Sequence, residues 1–102
     1  MLLQQGDVLL KKIEKIPAGK KIDKKARGYV LADGETTGHA HVIEEEVELV
    51  EKAGVLYLGV RGDSVMLKHE EHGHIEIPVG NYEIGIVREY DHFAEEAKPI
   101  VD

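Results

Sequence analysis

The chain contains no cysteine and no tryptophan, and its aromatic residues are four tyrosines and one phenylalanine. Without thiols there are no disulfides, no thiolate zinc sites and no cysteine nucleophiles, so any metal is held by nitrogen and oxygen ligands alone. No apolar run approaches the ~20 residues that span a bilayer, and no membrane association is expected. The N-terminal MLLQQGDVLLKKIEKI lacks a charged leader, an apolar stretch and a cleavage site in that order; a cytoplasmic protein is expected.

What is present is a globular composition, 42% hydrophobic and 32% charged, in 102 residues. That length supports one modest core, hence a single domain over 1–102. The net charge is −7, yet its sign is uneven. From Lys11 to Arg27, eight basic residues stand against Glu14 and Asp23. A basic loop over about 14–28 therefore sits in an otherwise acidic chain. Lys20, Lys21, Lys24, Lys25 and Arg27 are candidate anion-binding residues, with Tyr29 nearby for stacking. The acidic total and the scarcity of aromatics argue against a general nucleic-acid binder. Opposite-sign surfaces and open strand edges also fit a homo-oligomer with no catalytic role, and a solvated lysine-rich loop is the plain alternative.

Apolar residues alternate or form short β-branched runs bounded by Gly, Pro, Asp and Asn, the pattern of strands. Strands are expected at Gly6–Ile13, Tyr29–Gly34, His39–Glu44, VELVEK, VLYLGV, VMLK, HIEIP and Tyr82–Tyr90. Ala53 and Gly54 turn a hairpin. The tail over about 91–102 is irregular, with one helical turn before Pro99. Seven or eight short strands at regular spacing predict an all-β fold, a small antiparallel barrel or sandwich.

Five of six histidines fall in two stretches, GETTGHAH (Gly34 to His41) and HEEHGH (His69 to His74). Residues two apart on a strand share a face, so His39 and His41 can aim at one ion, as can His72 and His74 from another strand. With no sulfur available, such imidazoles suit a divalent transition metal: Zn, Ni, Fe or Mn. The candidate metal ligands are thus His39, His41, His69, His72 and His74. Glu35, Thr37, Glu70 and Glu71 are candidate ligand-binding neighbours able to accept from a histidine. His69 and His72 converge only if Glu70 and Glu71 form a turn or bulge. In HEEHG the position four after His69 is Gly73, which excludes the helical zinc-protease motif. Two other readings stand beside the metal: histidines that only hydrogen-bond to backbone, and a metal-free site in which Thr36 or Thr37 pairs with a histidine, or Glu70 or Glu71 with His72, for acid/base work. No reaction is specified by these residues.

The series Gly34, His39-x-His41 and Glu45 or Glu46 resembles the first cupin motif, and PVGNYE resembles the Pro-x-Gly turn of the second. That resemblance implies a jelly-roll barrel with His39, His41 and Glu45 or Glu46 as ligands, although Glu83 stands where the second motif places a histidine. A fuller resemblance, carried by QGDVLL, GETTGHAHVI, HEEHGHIEIPVGNYEI and REYD, is to a group of small uncharacterised prokaryotic and phage proteins. It covers nearly the whole chain and implies no particular activity.

Overall fold

A computed structural model describes residues 1–34 and 38–87. Glu35, Thr36, Thr37, His92, the REYD stretch and the tail over 91–102 lie outside the described residues. The described chain is all β: β1 (Leu2–Gln5), β2 (Val8–Ile13), β3 (Lys20–Lys21), β4 (Tyr29–Asp33), β5 (Ala40–Ile43), β6 (Glu48–Lys52), β7 (Val55–Val60), β8 (Val65–Lys68), β9 (Ile75–Ile77) and β10 (Gly80–Ile86). Two strands exceed the eight expected. LLQQ pairs back on β2 across a two-residue turn, and Lys20–Lys21 adds an edge to β6. Neither carries the apolar alternation by which strands are read: LLQQ is too short, and the lysine pair is stabilised by its partner strand alone.

The strands form two antiparallel sheets, one ordered β1-β2-β10-β7-β6-β3 and the other β4-β5-β8-β9. They pack as an open sandwich rather than a closed barrel, and the jelly-roll expectation is not supported. The core lies between them. Val8, Leu10, Leu49, Leu58, Val60, Tyr82 and Ile84 from the larger sheet meet Tyr29, Leu31, Ile43, Val65, Leu67, Ile75 and Ile77 from the smaller. Alternation assigns these residues inward, and each fully buried Leu or Ile contributes roughly 1.5–3 kcal/mol over exposure. Tyr82 is fully buried, but its hydroxyl donates to Pro78 O at 2.8 Å, so no polar atom is stranded there.

Turn chemistry sets the register. Ala53 and Gly54 link β6 to β7 with φ of 53° and 79°, the doubly positive geometry of a tight hairpin. Gly6 opens the β1–β2 turn at φ 56°, which leaves Asp7 at the hairpin tip. On β4 the register slips between Val30 and Ala32, so Leu31 bulges opposite the β5 segment that carries His41. Bulges of this kind re-aim neighbouring side chains. Among the described residues no helix is long and apolar enough to cross a membrane.

Candidate functional site

β5 and β8 pair only through Val42↔Lys68 and Ile43↔Leu67. Continuing that antiparallel register past the ladder places His69 opposite His41, Glu70 opposite Ala40 and Glu71 opposite His39. The inward rows of core residues Ile43 and Leu67 thus run on into His41 and His69. Both are buried, at 1% and 6% exposure, and their rings stand 4.4 Å apart. The hydrophobic core becomes imidazole at this end of the sandwich.

Beyond Lys68 the chain bends through Glu70, Glu71 and His72, the turn needed for His69 and His72 to converge. Their rings lie 4.6 Å apart, and the His72 ring stacks on that of His41 at 6.0 Å and 14°. Three polar contacts pin the bend. Ala40 N–H donates to Glu70 Oε1 at 3.0 Å, His39 Nδ1 meets Glu71 Oε1 at 3.1 Å, and Glu71 N–H donates to His69 Nδ1 at 3.0 Å. Arg27 reinforces the bend by pairing with the Glu70 carboxylate and donating to Gly38 O. The Ala40 amide, with Arg27 adding its charge, holds the Glu70 carboxyl down to about 2. Arg27, a candidate anion binder, thus braces the histidine end.

His39 joins the group from just before β5, with its ring 5.8 Å from that of His69. His74 does not join. It is exposed and lines a separate cleft of about 400 Å³ with Arg27, Lys68, Glu70 and the back of His69. Because His72 and His74 both lie in the irregular segment before β9, strand alternation does not put them on one face. The remaining basic candidates are dispersed. Lys20 and Lys21 pair with β6, Lys24 lies 3.7 Å from Glu46, and Lys25 bridges to Gly28. The cupin-type carboxylates are engaged elsewhere, Glu45 with the Met66 amide and Glu46 with the Tyr29 hydroxyl. Glu35 and Thr37 lie outside the described residues.

The opposite wall comes from the β1–β2 turn of the larger sheet. Gln5 is fully buried. Its amide nitrogen donates to Leu67 O at 2.8 Å and Gly73 O at 2.9 Å, which uses both protons and turns Oε1 toward His41. His41 Nδ1–H donates to that oxygen at 2.9 Å. In the neutral imidazole Nε2 then carries a lone pair, and it faces Asp7 Oδ1 at 3.3 Å. Gly6 lies against His72, since a Cβ there would stand 2.5 Å from His72 Nε2. Together Gly6, Asp7, Gly34, His41, His69 and His72 line a cleft of about 420 Å³. Gln5, Gly6 and Asp7 are the participants that pattern reading misses, because it begins the first strand at Gly6 rather than a hairpin turn. The Gly-Asp pair ahead of an apolar run was the available signal.

Burial favours the neutral form of His41 and His69. Burial first, then the neighbouring His69 and His72, push His41 down to about 4 against the opposing pull of Asp7. Burial and then His72 likewise lower His69. Neutral imidazole is the metal-ligating form. As the side chains stand, no set of three or more His, Asp or Glu among the described residues is arranged to hold a metal ion. His41 Nε2 and Asp7 Oδ1 face each other as two potential donor atoms.

No curated protein and no solved structure matches the chain. One family model, described as a domain of unknown function (DUF8820), matches residues 4–87, which takes in every site residue from Gln5 to His74. The chain belongs to that family.

Proposed function

We propose that the cleft binds one divalent transition metal ion, with His41 Nε2 and Asp7 as its resident pair and His72 rotating to complete the set. The observation that carries this is the 3.3 Å gap between His41 Nε2 and Asp7 Oδ1. A charge-assisted N–H···O bond is shorter, ~2.7–2.9 Å. Two donors ~2.0–2.2 Å from one tetrahedral ion stand about 3.4 Å apart. Gln5 fixes the His41 tautomer, so two electron-rich atoms face each other, and something positive belongs between them. A proton is disfavoured, because burial holds His41 near 4. A cation fits.

Zn, Ni, Fe and Mn all suit nitrogen and oxygen donors. An ion held by three protein ligands beside an open cleft keeps a coordination position for water or substrate, the arrangement of catalytic rather than structural sites. The test is elemental analysis of chelator-stripped protein, purified without a histidine tag and re-exposed to each metal. About one equivalent is expected, falling below a tenth in Asp7→Asn combined with His41→Gln. Less than a tenth of an equivalent of every metal in the unaltered protein refutes the reading.

A further inference from the structure

A second cleft lies on the outer face of the larger sheet, at the β3 edge, across the whole sheet from the β1–β2 turn that carries Asp7. Leu49 on β6 belongs to the core, so its neighbour Val50 faces outward. In the β3–β6 register Lys21 stands opposite Val50, and Lys20 opposite Glu51. Alternation therefore sets Lys21 on the outer face with Val50, and Lys52, two residues beyond Val50, on that same face. Diagonal neighbours of this kind stand about 7–8 Å apart, within reach of long side chains.

The segment between β2 and β3 folds over this face and adds a third lysine, Lys15. It is anchored along its length. Asn81 Nδ2 donates to Glu14 O at 2.9 Å. Ile16 Cδ1 lies where a Cβ on Gly59 would stand 2.9 Å away, and Gly19 packs so closely on β6 that its own Cβ would meet Val50 Cγ1 at 2.8 Å. Pro17, between these contacts, fixes its own φ. The lysines thus rise around a defined cleft of about 670 Å³ with Ile16, Pro17 and buried Val50 in its lining.

The charge of this cleft is unbalanced. None of the three ammonium groups is paired with a carboxylate among the described residues. The acid in the lining, Glu48, is engaged by Arg61 at 3.1 Å. Three like charges on one face repel one another, and a dianion among them relieves that repulsion. Lysine is a compact point charge with three rotatable donors, suited to phosphate, whereas planar bidentate pairing with carboxylate favours arginine. The apolar lining suits an alkyl or aromatic group carried by the same ligand.

We infer that this cleft binds a small phosphate monoester, with the phosphoryl group among Lys15, Lys21 and Lys52 and the apolar substituent against Ile16 and Val50. The site is independent of the metal reading, because it shares no residue with the cleft at Asp7.

The test titrates phenyl phosphate into the full chain at low salt, followed by calorimetry and by amide shifts in nitrogen-15 spectra. Saturable binding is expected, at least threefold tighter than that of inorganic phosphate, with the largest shifts at Gly19, Lys21, Val50 and Lys52. Lys21→Gln and Lys52→Gln should each weaken it fivefold or more. Lys24→Gln removes the same charge from a lysine that pairs with Glu46, and should change affinity by less than twofold. Shifts that grow linearly without saturation, or equal losses in all three variants, overturn the inference by reducing it to diffuse charge attraction. A single-stranded oligonucleotide binding a hundredfold tighter through Lys21 and Lys52 overturns it in favour of a nucleic-acid surface. Binding to phosphatidic-acid vesicles without any response to phenyl phosphate overturns it in favour of a membrane surface. Cobalt(II), the visible-absorbing probe for an ion at Asp7, is expected to bind equally with and without phenyl phosphate on the protein, and displacement of one by the other overturns the assignment to this edge.

Discussion

His41 on β5 and Asp7 on the β1–β2 turn face each other across the end of the sandwich, one from each sheet, with Nε2 and Oδ1 3.3 Å apart. Gln5 holds the His41 proton on the far side of the ring. The site is therefore a junction between sheets, and its chemistry is coupled to how the two sheets close.

The first consequence is a pH dependence of the metal-free protein. His41 titrates near 4 when folded against 6.5 when unfolded. Between those values the unfolded chain binds a proton that the native one refuses, so stability rises with pH. The contribution is whole above 6.5 and is lost as pH falls toward 4, a change of about 3 kcal/mol at most. Glu70, lowered from 4.5 to about 2, acts in the same direction in a lower window. Urea midpoints measured from pH 7 to 4 should fall steeply in the unaltered protein and less so in His41→Gln. Equal slopes would show that another group controls the transition.

Replacing Gln5 tests the tautomer lock. In Gln5→Leu the carbonyls of Leu67 and Gly73 lose their donor and His41 Nδ1–H loses its acceptor. Stability should drop by roughly 2–4 kcal/mol, since several buried groups go unsatisfied together. Cobalt affinity should fall ~10–100-fold, the usual cost of losing the partner that orients a ligating histidine. Unchanged affinity would mean that Gln5 serves packing alone.

Much of this end was legible in the sequence, and the reasons differ by residue. His39, His41, His69 and His72 could be grouped because strand alternation and the necessary bend at Glu70 and Glu71 restrict where imidazoles point. His74 lies apart from the other rings, since strand alternation does not extend into the segment before β9. Gln5 and Asp7 escaped notice because their role depends on the larger sheet folding over the smaller, a long-range contact with no local pattern. The all-β class followed from turn spacing. The pairing of Lys20–Lys21 with β6 did not, because two lysines carry no β preference and their order comes from the neighbouring strand.

Gly6 should be hard to replace without disturbing the histidine end. Gly6→Ala places a methyl 2.5 Å from His72 Nε2 at φ 56°, combining backbone strain with a clash. A loss of about 1–3 kcal/mol is expected, together with weaker cobalt binding as His72 is pushed aside. Gly54→Ala is the control. It has φ 79° with nothing within 4 Å, so thermal unfolding should show strain while cobalt affinity holds. Equal effects of both substitutions on cobalt binding would argue against His72 as the third ligand.

The most direct measurement is the position of the ion. Crystals grown with zinc, with diffraction collected on both sides of the zinc absorption edge, should show an anomalous peak ~2.0–2.2 Å from both His41 Nε2 and an Asp7 carboxylate oxygen, with the His72 ring turned toward it. A peak confined to half-buried His39 or exposed His74, or none near Asp7, would contradict the account.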